Sequence, residues 1–485
     1  LERLESLDKV KLAASVMEKV RPQKMERIVG QERAVEAMCS KVASVYPQHI
    51  LLYGPPGVGK TTAARIILEE AKKLPYTPFS VDAPFVETDG TTLRWDARDM
   101  TNPLIGSVHD PIYQGARRDL ADTGIPEPKP GLVTDAHGGI LFIDEIGEMD
   151  PLLLNKLLKV LEDKRVKFDS AYYDASDPAV PAYIRKLFAE GAPADFILIG
   201  ATTRSPQEIN PAIRSRCAEV YFEPLNGTDI QAIVRNAAHD LSVSLEDGVA
   251  EYISEFTVEG RKAINLLADM YGYAVYKQGS GENTVITLED AKHVVRIGHF
   301  IPYAAEKASS LPVAGKVFGL GVSGYLGSVI EIEAVAFPAR EAGKGYFRFN
   351  DTAGSMAKDS LFNAAAVVRA VTGKEISDFD INVNFVGGGQ IDGPSAGTAV
   401  TVALISALTG KKVRQDAAVT GEISVSGQVR AVGGIFEKAY GASRAGMKDM
   451  IIPAENKDEI TKHHLNLNIH AVTTIQEVMS LLFVE

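Results

Sequence analysis

Two regions far apart in the chain carry residue types that can do chemistry. The first is Gly54-Pro55-Pro56-Gly57-Val58-Gly59-Lys60-Thr61, which fits G-x-x-x-x-G-K-T. In that pattern glycines let backbone N–H groups close on phosphates at a helix N-terminus. The lysine reaches the outer phosphates and the threonine hydroxyl holds Mg2+. Lys60 and Thr61 take those roles, and Thr62 follows on the helix. Further on, Gly139-Ile140-Leu141-Phe142-Ile143-Asp144-Glu145 reads as a buried strand ending in two carboxylates. Asp144 suits the shell of the magnesium ion, and Glu145 suits orientation or activation of an attacking water. The second region is Asp392-Gly393-Pro394-Ser395-Ala396-Gly397, whose last five residues fit G-x-S-x-G, a turn that often presents a nucleophilic serine.

Ser395 needs a base. A histidine would come from His463, His464 or His470, with Asp416, Asp449 or Asp458 completing a triad. The parallel strands that precede the serine in such hydrolases are missing, which disfavours this reading. Lys438 is the better candidate. Val432-Gly433-Gly434-Ile435-Phe436-Glu437-Lys438-Ala439 opens a helix with the lysine in its first turn. A positive helix end and apolar neighbours both disfavour a charged ammonium. A neutral lysine takes a serine proton. Read from its turn alone, Ser395 is equally a plain helix cap.

The elements that must hold these residues are legible as pattern. His49–Tyr53, Gly139–Glu145 and Phe196–Thr203 are apolar runs of the kind that form buried parallel strands. Helices are expected over 32–42, 62–73 and 261–276. From Gly315 the texture changes. Strands over 317–322 and 327–336 are rich in β-branched residues. A helix is expected over 358–372, an alternating strand over 379–386, a buried helix over 398–408 capped by Gly410, and a strand over 467–472. The fold class expected is an α/β P-loop unit with a parallel sheet and an all-α lid, followed by an α+β unit. The divisions are 1–24 as an N-terminal segment, 25–225, 226–303 and 312–485.

The 485 residues carry a net charge of −12, which argues against a broad nucleic-acid surface. No run is long and apolar enough to span a membrane. Cys39 and Cys217 lack metal-ligand spacing and read as buried free thiols of a reducing, cytoplasmic setting. The chain begins at Leu1 without a secretory pattern, so a segment ahead of it is expected to have been removed.

Thr202-Thr203 at a strand end, followed by Asn210-Pro211-Ala212-Ile213-Arg214-Ser215-Arg216-Cys217, resembles the AAA+ ATPases. The resemblance implies ATP as the nucleotide, with Thr203 (or Thr202) sensing its γ-phosphate. It makes Arg216, with Arg214 as competitor, a finger for a neighbouring subunit. Arg261 becomes a second sensor on the lid, and Ile28-Val29-Gly30-Gln31 the adenine-side segment. A finger donated in trans implies a ring, here a homohexamer. Leu104-Ile105, in an insert between Lys60 and Asp144, stands where related motors carry an exposed pore loop that grips a polypeptide. A second insert, 168–193, carries Tyr172 and Tyr173 and is either another channel loop or surface.

The serine turn, Val419-Thr420-Gly421-Glu422-Ile423, the Gly433–Lys438 stretch and Ser443-Arg444-Ala445-Gly446 are similar to the Lon protease domain over roughly 312–485. That resemblance implies a Ser395–Lys438 dyad, with Thr420 orienting the lysine and Asp392 shaping the turn. It implies an ATP-dependent serine endopeptidase that unfolds and threads protein substrates, with no nucleic-acid partner. About 25 residues precede the motor, so the large N-terminal domain of the commoner type is not expected. The mixture of motifs is similar to the bacterial B type. Such proteins often begin with a membrane helix, so membrane contact is expected only through an anchor ahead of Leu1. The competing readings are a nucleic-acid motor and a chaperone with an idle protease domain.

Overall fold

The structure, a computed structural model, describes residues 15–93, 103–109, 125–281, 283–300, 302, 307–323, 326–350, 355–386, 393–460 and 467–484. The chain divides into two compact units, Leu1–Phe300 and Ile301–Glu485.

In the first unit α1 (Glu32–Val42) leads to β1 (Ile50–Tyr53), which is buried along its length and runs into the glycine loop and α2 (Lys60–Lys72). Next come β2 (Phe85–Asp89), a hairpin of β3 (Gly106–His109) with β4 (Glu127–Pro130), and β5 (Ile140–Asp144). Then follow α3 (Pro151–Asp163), α4 (Ala182–Glu190), β6 (Ile197–Thr202) and β7 (Ala218–Tyr221). Strands β2-β5-β6-β1-β7 form one parallel sheet in that order. Near-continuous apolar runs build its central strands because helices cover both faces. The glycine loop and the two carboxylates both leave the sheet at the carboxyl ends of strands, where open parallel sheets form ligand crevices.

Four helices complete the unit: α5 (Gly227–Asp240), α6 (Val249–Ser254), α7 (Gly260–Gln278) and α8 (Leu288–Ile297). Capping boxes at Asn226/Asp229 and Thr287/Asp290 start α5 and α8 by satisfying orphan N–H groups. Among the described residues no helix is long and apolar enough to cross a membrane.

Both inserts pack more than their sequence suggests. Leu104 is buried, not exposed, and Ile105 is half-buried. The carbonyls of Pro103 and Leu104 accept the Leu132 and Val133 N–H groups at 2.9 and 3.0 Å, so this turn caps the helix at Leu132–Asp135. An apolar pair on a connecting loop is as readily an anchor beneath a hairpin as a grip above it. In the second insert Tyr173 stacks on Phe188 at 3.9 Å beside Val180 and Ile184, while Tyr172 is exposed. Cys39 and Cys217 are free but half-buried, and burial pushes both thiols up, Cys217 to about 12.

The second unit opens with β8 (Ser309–Ala314), β9 (Lys316–Ser323), β10 (Leu326–Pro338) and β11 (Phe347–Phe349), followed by α9 (Ser355–Thr372) and β12 (Phe379–Val386). A short turn at Pro394–Ala396 enters α10 (Gly397–Thr409), which ends on Gly410 at φ +74°. Beyond it lie β13 (Lys412–Gln415), β14 (Ala417–Val419), the pair β15 (Glu422–Ile423) and β16 (Val429–Arg430), and α11 (Ile435–Arg444). The unit closes with β17 (Asp449–Pro453), β18 (Asn468–Val472) and α12 (Ile475–Leu482). The mixed sheet runs β11-β12-β10-β9-β14-β17-β18. Helix α10 is buried almost throughout and packs with Val317, Ile332 and α9 on one face. Helix α11 packs with Phe318, Leu320 and Met450 on the other.

Close approach of α11 to the β9–β10 hairpin depends on glycine. A Cβ on Gly327 would stand 1.7 Å from the Glu437 carbonyl oxygen, and one on Gly441 would stand 2.5 Å from Gly327 carbon. Gly327→Val therefore forces α11 off the sheet. Overpacking of this kind costs about 3 kcal/mol. A lowered urea midpoint with an unchanged slope would register it, and an unaltered midpoint would refute the packing argument.

Candidate active site

The crevice of the first unit has a volume of about 410 Å3. Pro56 to Thr62 line it, with Asp144, Glu145, Ile28, Val29 and Arg261. Three loop glycines adopt positive φ: Gly54 at +148°, Gly57 at +71° and Gly59 at +100°. Gly54 also lies against the Phe222 carbonyl, where a Cβ would come within 2.6 Å. Lys60 is buried and donates from Nζ to the Gly54 and Pro55 carbonyls at 2.6 and 2.8 Å. Burial pulls its amine down to about 8, although Glu145 and Asp144 act in the opposite sense.

Glu145 sits in the left-handed region at φ +45°, an uncommon position for a side-chain-bearing residue. Its Oε2 accepts the Thr203 N–H at 3.2 Å and the Thr203 hydroxyl at 3.1 Å. Thr202 is buried, and its Oγ1 accepts the Arg204 N–H at 3.0 Å, closing a local turn. Of the two threonines, Thr203 is the one bonded to Glu145. Arg214 and Arg216 lie away from this crevice. Arg214 Nε donates to Glu219 at 2.8 Å, and Arg216 Nε donates to Glu162 at 3.1 Å.

Pattern reading gave no contacts for Gln31 and passed over Arg65 and Glu87. Gln31 is buried, and its carboxamide makes both bonds to the backbone of Glu223, accepting N–H at 3.0 Å and donating to C=O at 2.8 Å. This ties the Ile28–Gly30 segment to the connection between β7 and α5. Arg65 and Glu87 form an ion pair on the crevice wall. Nothing periodic marks such groups in the sequence.

In the second unit Ser395 is half-buried in the turn before α10. Its carbonyl accepts the Gly421 N–H at 3.0 Å and the Thr420 hydroxyl at 3.4 Å. The Gly421 carbonyl in turn accepts the Thr398 hydroxyl at 2.9 Å. The hydroxyl of Thr420 thus engages the serine backbone; the lysine hydrogen bond expected of it is not formed. A helix N-terminus next to a fixed turn suits stabilisation of an oxyanion. Asp392 lies outside the described residues, as do His463 and His464.

Lys438 is buried in α11, whose start is set by Gly434 at φ +69°. Burial pulls its amine down to about 8, with Glu437 and Glu459 opposing. Gly434 abuts Val322, and Val322 pairs with Gly327 beneath Glu437. Strand β9 runs parallel to β14, with Gly319 opposite Val419. The first turn of α11 and the Ser395 turn therefore meet the same end of the sheet, from opposite faces. No hydrogen bond among the described residues joins Ser395 Oγ to Lys438 Nζ. The histidine alternative fares worse. His470 Nε2 lies 2.7 Å from Asp449 Oδ1, but Asp449 is also engaged by Arg414 and Asn468. Asp449 is level with Ala417, at the opposite end of β14 from the residues that hold Ser395.

Comparison with known proteins finds two different families along the chain. Residues 50–225 match the ATPase family associated with various cellular activities (AAA), and residues 289–485 match the Lon protease (S16) C-terminal proteolytic domain. The pairing of those two in one chain defines an ATP-dependent serine protease. Lon protease 2 of Bacillus subtilis is 43% identical over 492 residues, covering 99% of this chain and 88% of that protein. At that identity and coverage, the chain belongs to the Lon protease family. An archaeal Lon protease from Archaeoglobus fulgidus is 28% identical over 82% of this chain and 68% of its own length. The Lon protease of Fusobacterium nucleatum is 29% identical over 90% of this chain, which spans 55% of that longer protein.

The buried amine has a consequence for stability. The unfolded chain holds the Lys438 proton up to the ordinary lysine value of 10.5, whereas in the folded chain burial lets it go at about 8. Between those values the unfolded state holds more protons, so stability rises with pH. Below them the full cost of burying the charge is present. Lys438→Met is expected to stabilise the protein by about 1–3 kcal/mol at neutral pH, with the gain shrinking as pH approaches the upper value. Denaturant titrations at several pH values would check this; a pH-independent difference would contradict it.

Proposed function

We propose that Ser395 and Lys438 are the catalytic dyad of this protease, and that the nucleotide crevice supplies the work that brings protein chains to them. The supporting observation is a buried amine, lowered to about 8, at the sheet end where the Ser395 turn is tied down. With its proton released, Lys438 Nζ accepts the Ser395 hydroxyl proton as Oγ attacks the peptide carbonyl carbon. The C–N bond then breaks, the amine leaves with that proton, and water hydrolyses the acyl-enzyme. Thr420 and Gly421 act as positioning groups that hold the serine turn through its carbonyl.

At the crevice, Lys60 and the loop N–H groups bind phosphates, Arg261 closes from the lid side, and Ile28 and Val29 face the base. Thr61 and Asp144 line the crevice side by side with Lys60 and offer the hard oxygen donors that magnesium prefers. Bound there, Mg2+ would neutralise charge on the β- and γ-phosphate oxygens. Glu145 orients water, and Thr203, already bonded to it, senses the outer phosphate. Neither Arg214 nor Arg216 lines its own crevice, which suits a finger given to a neighbour in a homohexameric ring. Arg216 stands on the exposed α3 side. Free thiols fit a reducing cytoplasmic compartment.

Two substitutions separate the sites. Ser395→Ala is expected to abolish casein cleavage while ATP hydrolysis continues. Glu145→Gln is expected to slow hydrolysis by about 10²–10⁴-fold and to stall cleavage of folded substrates first. Loss of both activities in Ser395→Ala would count against separable sites. Cleavage of an unstructured peptide is expected to rise with pH through about 8, because only the neutral amine accepts a proton. A rise confined to the region of free lysine, about 10.4, would rule out Lys438 as the base.

A further inference from the structure

Helix α11 has no side-chain cap of its own: Gly434 is its N-cap. The loop that feeds it, Ala431 to Gly433, is instead gripped from a 3-10 turn, Ala454–Glu459, that follows β17. Asn456 is 2% exposed. Its Oδ1 accepts the Val432 N–H at 3.0 Å, and its Nδ2 donates to the Val432 carbonyl at 3.0 Å. The second Nδ2 hydrogen reaches Glu459 Oε1 at 2.7 Å. Beside it, Glu455 accepts the Ala431 N–H and pairs with Arg430, both at 3.0 Å. Three consecutive residues ahead of the lysine helix are thus fixed by two neighbouring side chains.

We propose that Asn456 is a positioning residue for proteolysis: its carboxamide sets the entry of the lysine helix and holds the Glu459 carboxylate in place beside it. The proposal rests on the Ser395–Lys438 reading. A carboxamide is the one short side chain that satisfies a backbone N–H, a backbone C=O and a carboxylate at once. Buried polar groups satisfied in this way fix a single geometry. Position matters here because a misplacement of about 1 Å costs on the order of 100-fold in rate.

Glu459 gives the clamp an electrostatic arm. On the elements packed against α11, Lys316 pairs with Glu331 across β9 and β10, Asp449 with Arg414 and His470, and Glu455 with Arg430. Glu333 on β10 accepts from Asn384, and Lys457 and Asp458 are exposed on the 3-10 turn. Glu459, with Glu437 of α11 itself, acts on the Lys438 amine and favours its charged form. Glu459→Gln keeps an acceptor for Asn456 and removes that charge.

The full-length chain is assayed with a fluorogenic peptide from about pH 6 to about pH 10. Asn456→Ala, Glu459→Gln, Ser395→Ala and Lys438→Ala are compared with the parent, each with its thermal melt. Asn456→Ala is expected to lower kcat by about 10–100-fold with KM within about twofold. Glu459→Gln is expected to keep its melt and shift the rising limb about half a unit towards acid. Wild-type kcat in Asn456→Ala together with an unmoved limb in Glu459→Gln overturns the proposal while leaving the dyad standing. So does a loss of kcat in Asn456→Ala that only follows its loss of folded protein. Cleavage that survives in Ser395→Ala or Lys438→Ala overturns the dyad, and this proposal with it.

Discussion

Burying an ammonium is among the least favourable arrangements available to a folded chain, and the second unit does so at Lys438. Lys438 can serve as a base near neutral pH only if water is kept from its amine. That requires α11 to lie closer to the β9–β10 hairpin than ordinary side chains allow. Gly327 and Gly441 provide the approach, with Ile435, Ala439 and Ala442 packed on Phe318 and Leu320 alongside. The apolar contacts offset the desolvation of one group. The Ser395 turn, tied to Thr420 and Gly421 just past β14, is held at the same end by backbone bonds.

What pattern reading recovered, and what it did not, divides along a physical line. Buried strands such as Ile50–Tyr53 and Ile140–Asp144 announce themselves because both sheet faces are covered, and α1 because its apolar residues recur at helical spacing. The glycine loop and serine turn are legible because their chemistry demands fixed spacing. Leu104 was not legible: exposure of a loop residue depends on what the loop lies against, here the helix start at Leu132. Nor was the partner of the Thr420 hydroxyl, which bonds the Ser395 carbonyl across the chain. Which of Thr202 and Thr203 bonds Glu145 likewise needed coordinates, since either could end the strand.

Gln31 and Asn456 show a recurring device. Each is a buried carboxamide that bonds both backbone groups of a distant residue, Glu223 in one unit and Val432 in the other. A side chain used this way replaces a strand partner where no strand runs. In both cases the clamped residue lies a few positions ahead of a helix, α5 in the first unit and α11 in the second. Such residues have no spacing rule, because their partners are far away in sequence.

One contact in the first unit bears on how force is transmitted. The N–H of Gly260, first residue of α7, donates to the carbonyl of Gly57 in the phosphate loop at 3.1 Å, and a Cβ on Gly57 would press on Glu259. Helix α7 is therefore tied to the loop by a main-chain bond. A swing of α7 must either drag the loop with it or break that link.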